Sequence, residues 1–60
     1  MKSAEFAELV ERLCAKGARL EDAVRTIVRL YPRLAADAYE DVGCWPSSEP
    51  VFSELQRVMG

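Results

Sequence analysis

Asp37 and Asp41 stand four residues apart, a spacing that on a helix stacks two carboxylates on one face. A pair of that kind is the barest equipment for general acid–base chemistry, one carboxyl giving a proton while the other takes one. The rest of the chain does not extend it. There is no histidine to serve as a base near neutral pH. Ser3, Ser47, Ser48 and Ser53 fall where helix caps or solvent-facing helix positions are expected. Gly17, Gly43 and Gly60 each stand alone and form no phosphate-cradling loop. The aspartates therefore read as a solvated helix face, and the chain is expected to have no catalytic residue and no cofactor.

Thiol chemistry is no better supplied. Two cysteines without histidine fall short of a four-ligand zinc set, so no metal is expected. Cys14 lies on an apolar helical face, where cysteine acts as a small hydrophobe. Cys44, beside Trp45, is the more accessible of the two but has no neighbouring cation in the chain to activate its thiolate. Their wide separation and the lack of a secretory context argue against a disulfide.

Charge is more informative than reactivity. Residues 12–33 carry six basic residues against Glu21 and Asp22, whereas residues 34–60 carry five acidic residues against Arg57. The net charge is only -2, so the chain is polarised rather than strongly charged, a pattern that reports on association. Arg25, Arg29 and Arg33 follow one another at i, i+4 and i+8 and form one basic stripe if their helix runs on. Arg12, Lys16 and Arg19 extend it. Phosphate contact through this stripe is the alternative function, in the manner of a small helix-turn-helix regulator. Two recognition helices can be drawn, but one opens on Glu21 and Asp22 and the other presents Asp37, Glu40 and Asp41. Carboxylates at those places are repelled by DNA.

The elements that position these residues are helical. Phe6, Leu9, Val10, Leu13 and Cys14 recur at helical spacing, with Ser3 as an N-cap, Glu5 in the first turn and Gly17 at the C-terminal end, predicting a helix over 4–16. Leu20, Ala23, Val24, Ile27, Val28, Leu30 and Tyr31 cover a wider arc and predict a central helix over 20–31, with Glu21 pairing with Arg25 and Pro32 ending it. A third helix is expected over 33–42, with Leu34, Ala35, Ala38, Tyr39 and Val42 inward and Asp37, Glu40 and Asp41 outward. Gly43 ends it, Pro46 stiffens the turn, and "SSEP" at 47–50 starts a fourth helix over 50–59. The chain thus reads as one domain, 1–60, an all-α bundle of three to four short helices. Half the residues are hydrophobic and 30% are charged, the balance of a folded chain rather than a disordered one. The opening "MKSAEFAELV" has no apolar run long enough for a signal peptide or a membrane span, so a cytoplasmic setting is expected.

Residues 23–59, with "LYP" at 30–32 followed by a helix, a loop and a final helix, resemble in outline the ubiquitin-binding CUE module. That family carries a Met-Phe-Pro turn and a C-terminal dileucine. Here Leu30-Tyr31 stands in place of Met-Phe, Val58-Met59 matches the dileucine poorly, and the loop before the last helix differs in character. These residues assign no family.

The remaining expectation is a non-enzymatic protein that regulates or inhibits a larger assembly through an acidic and aromatic surface. Asp37, Glu40, Asp41 and Trp45 are its candidate partner-binding residues, tryptophan being enriched at interface hot spots. Phage-encoded inhibitors of host nucleic-acid machinery, which present carboxylates where DNA would lie, are the analogy that size and charge suggest. A homodimer is a further option, because about 40% of the surface exposed by the unfolded chain stays open in a domain this small. Trp45 either folds inward over the core or stands out as an interface anchor. Its fluorescence separates the two: emission already blue-shifted in the free protein places the ring inside, and a blue shift only on binding places it at an interface.

Overall fold

Phe6, Ala7 and Val10 recur along one face of the first segment, and water is almost wholly excluded from all three. They belong to α1 (Lys2–Ala15) of a computed structural model that describes residues 2–40 and 49–60. Three more helices follow: α2 (Leu20–Leu30), α3 (Pro32–Glu40) and α4 (Glu49–Met59). Among the described residues there is no strand, and the expected all-α bundle is what forms. Its Cα radius of gyration, 9.9 Å, matches the roughly 10 Å of a folded chain of this length.

Each helix adds a short apolar stripe to one core. Ala23, Val24 and Ile27 come from α2, Ala35 and Ala38 from α3, and Val51 and Leu55 from α4. Phe6, Leu55, Val10 and Val24 are its largest fully buried side chains, and alanines fill much of the remainder. Small residues at the contacts let helix axes approach closely, so limited side-chain volume still gives a continuous interior. α1 packs most extensively against α3 and α2, while α4 closes chiefly over α2. The centre is therefore shared by α1 and α2, not held by α2 alone as its wide apolar arc predicts. That arc is not all buried either, because Leu30 and Tyr31 lie in solvent at its C-terminal end.

The helix ends explain where the chain turns. Gly17 takes a φ of +105°, which L side chains rarely adopt. Around it the Ala18 N–H donates to the Leu13 carbonyl at 3.1 Å and the Gly17 N–H to the Cys14 carbonyl at 3.0 Å. Those two bonds make a Schellman cap and satisfy carbonyls that the helix end would leave unpaired. Ser3 lies inside α1, which begins at Lys2, and so is not its N-cap. α2 starts after Arg19, whose extended backbone supplies no side-chain cap. Glu21 and Asp22 in its first turn instead complement the positive end of the helix dipole.

Between α2 and α3 there is one residue. Tyr31 leaves the helical region (φ -132°, ψ 67°), as expected of the residue before a proline. Its N–H donates to the Ile27 carbonyl at 2.8 Å, while its own carbonyl accepts from the Ala35 N–H at 3.0 Å. Pro32 opens α3, where a missing N–H costs nothing. At the other end of the chain, Glu49 and Pro50 occupy the first turn of α4, as "SSEP" predicts, while Ser47 and Ser48 fall outside the described residues.

A domain of this length is stabilised by about 3–9 kcal/mol in total. Leu55→Ala, at a fully buried site, should remove about 2–5 kcal/mol and abolish or greatly broaden the cooperative urea transition. Gly17→Ala meets no neighbouring atom, so it should cost about 1–2 kcal/mol through backbone strain alone. An unchanged urea midpoint for either variant contradicts the packing or the cap.

Candidate functional site

Two surface features stand apart from the core. The first is the corner where α2 gives way to α3. Leu30 is 61% exposed and Tyr31 49% exposed, although both continue the apolar pattern of α2. Pro32 is the reason: the chain turns at Tyr31, so residues that a longer α2 would have carried inward are left outside. Arg29 and Arg33 flank them, both exposed. The Tyr31 side chain thus projects from a joint whose backbone N–H and carbonyl are both engaged.

The second feature is an open groove of about 480 Å³ between α2 and α4. On the α2 side it is lined by Glu21, Arg25, Val28 and Arg29. On the α4 side it is lined by Glu54, Arg57 and Val58. The α2 wall follows from spacing, since residues 21, 25 and 29 succeed one another at one-turn intervals on a single face. Among the described residues that line it, three guanidiniums face two carboxylates, one positive charge in excess. Arg57 donates to Glu54 at 3.3 Å, with the Glu54 side chain only 19% exposed and that of Arg57 75% exposed. The remaining described ion pair, Arg12 with Glu8 at 2.8 Å, lies on α1. Glu21 and Arg25 do not form their expected pair, and among the described residues Arg25, Arg29 and Arg33 have no carboxylate within 4.0 Å.

The residues singled out by sequence are divided among these features. Arg25 and Arg29 share the groove, but Arg33 belongs to α3 because α2 does not run on past Leu30. The basic stripe is therefore two residues long on its helix. Glu40 is exposed on α3, and Asp37 on the same helix is half-buried with an interaction partner of its own. Asp41 and Trp45 lie outside the described residues, as do Val42, Gly43, Cys44 and Pro46. Cys14 is a half-buried free thiol packed against the core. The Thr26 hydroxyl donates to the Asp22 carbonyl one turn back, at 2.8 Å. Among the described residues no three His, Cys, Asp or Glu side chains gather where a metal ion could be held. None of their helices is long and apolar enough to cross a membrane.

Leu30, Tyr31 and Arg57 are the positions that sequence reasoning did not assign to a surface role. A signal for the first two was present, since an apolar pair directly before proline sits where a helix must end. Arg57 gives none until α4 is laid against α2. The chain matches no family model, no curated protein and no solved structure.

Because both side chains are exposed and the backbone bonds of Tyr31 survive substitution by alanine, Leu30→Ala and Tyr31→Ala should each shift unfolding free energy by no more than about 0.5 kcal/mol. Thermal melts of the two variants beside Leu55→Ala check this. A large loss at either exposed site means that the corner is covered in the folded protein.

Proposed function

We propose that this chain is a non-enzymatic binding module that regulates or inhibits a larger protein assembly by occupying part of its surface. The observation that carries the reading is the exposure of Leu30 and Tyr31 on a joint fixed by backbone hydrogen bonds. An aliphatic and an aromatic side chain held side by side and rimmed by arginines have the composition of an interface hot spot. Glu40 on the following helix is exposed as well and supplies an acidic contact, in line with the acidic and aromatic surface expected from sequence. Asp41 and Trp45, the other two candidates from sequence, lie outside the described residues.

Nucleic-acid binding is the second reading, favoured by Arg25, Arg29 and Arg33 having no carboxylate within 4.0 Å among the described residues. It is the weaker one, because Glu21 and Glu54 share the groove with two of these arginines and repel phosphate.

Affinity capture from the native host followed by mass spectrometry tests the proposal. The wild-type chain should retain a defined protein after nuclease treatment. Tyr31→Ala should weaken that capture about thirtyfold or more, the range of a hot-spot residue, while Glu40→Lys should reduce it less. Recovery that disappears with nuclease, together with a salt-dependent mobility shift of labelled duplex, would instead establish the nucleic-acid reading.

A further inference from the structure

Arg25 has no structural explanation of the kind its neighbours have. Arg29 and Arg57 lie in the last turns of α2 and α4, where a cation complements the helix dipole. Arg57 also has Glu54. Arg25 is in the middle of α2, with neither a helix end nor a described carboxylate beside it. It nevertheless faces the same groove as the other two, across a lining that includes half-buried Val28 and Val58.

We infer that the α2/α4 groove binds an extended acidic peptide segment of a partner protein, in which an apolar residue separates two carboxylates. Spacing is the first argument. Arg25 and Arg29 are one turn apart, about 6 Å along the helix axis, and alternate side chains of an extended chain recur every 6.6 Å or so on one face. Two acidic residues at i and i+2 therefore reach both guanidiniums. The residue between them turns to the other wall, where Val58 offers apolar contact. Guanidinium groups suit this role because their planar donors take carboxylates two-pronged.

Charge is the second argument, and it decides against a polyanion. A nucleic-acid strand would carry its phosphates past Glu21 and the largely buried Glu54. Among the described residues, no aromatic ring on which a base could stack lines the groove. A peptide with only two carboxylates, set over Arg25 and Arg29, brings far less negative charge past Glu21 and Glu54 than a strand charged at every residue, and it needs no stacking ring. The inference rests on the protein-binding reading above and adds the partner's chemistry.

A nitrogen-15-labelled sample titrated with a short peptide carrying leucine between two glutamates tests it. A peptide with lysines for the glutamates and a single-stranded oligonucleotide run in parallel. The glutamate peptide should move amide resonances of α2 and α4 around the groove, saturably, and the lysine peptide should not. The double variant Arg25→Glu/Arg29→Glu, with folding checked by circular dichroism, should bind the glutamate peptide at least about tenfold more weakly. It should now accept the lysine peptide. Absence of saturable shifts, an equal response to both peptides, or oligonucleotide shifts at the same groove would overturn the assignment. If that happens while Tyr31-dependent capture of a protein stands, only the groove assignment falls. Failure of both removes the protein-binding reading too.

Discussion

With Phe6 withdrawn from water among Val10, Val24 and Leu55, helices too short to persist singly are held together. The longest of the four has 14 residues and the shortest 9, lengths at which isolated helices are marginal. Among the described residues each gives the core only two or three buried side chains, several of them alanine. No helix can therefore be removed without opening the interior to water. The surface corner and the groove inherit their geometry from this shared interior, since both lie where one packed helix meets another.

The fold is largely legible in the periodicity of the chain. Phe6, Leu9, Val10, Leu13 and Cys14 all face the core or pack against it, as their spacing predicts. Gly17 and Pro32 mark turns for reasons that act locally, a left-handed φ in one case and restriction of the preceding residue in the other. What periodicity misses is where a pattern outlasts its helix. Leu30 and Tyr31 keep the apolar rhythm of α2, yet burial depends on having a neighbour to pack against, and the turn at Tyr31 carries the chain away. Arg33 illustrates the same failure in charge, because an i, i+8 relation has meaning only on an unbroken helix.

The candidate site was less legible than the fold. Its α2 wall, Arg25 and Arg29, is visible as a spacing, whereas Arg57 joins it only through the packing of α4 on α2. Pairing expectations fared similarly: Glu21 and Arg25 have the right separation for an ion pair but do not make one, and Glu54 and Arg57, one residue closer, do. Flexible side chains at helical spacing have several low-energy arrangements, and their small interaction energies do not select one from sequence alone.

The one-residue joint at Tyr31 has a consequence for association. Recognition elements on long loops must surrender backbone freedom when they dock, and that loss is set against every contact they form. At Tyr31 the backbone has already surrendered it during folding, since its N–H belongs to α2 and its carbonyl to α3. Only the side-chain torsions of Leu30 and Tyr31 remain to be ordered. A chain with little interior to spare thus offers the most exposed aromatic group among its described residues at a point where docking adds almost no conformational cost.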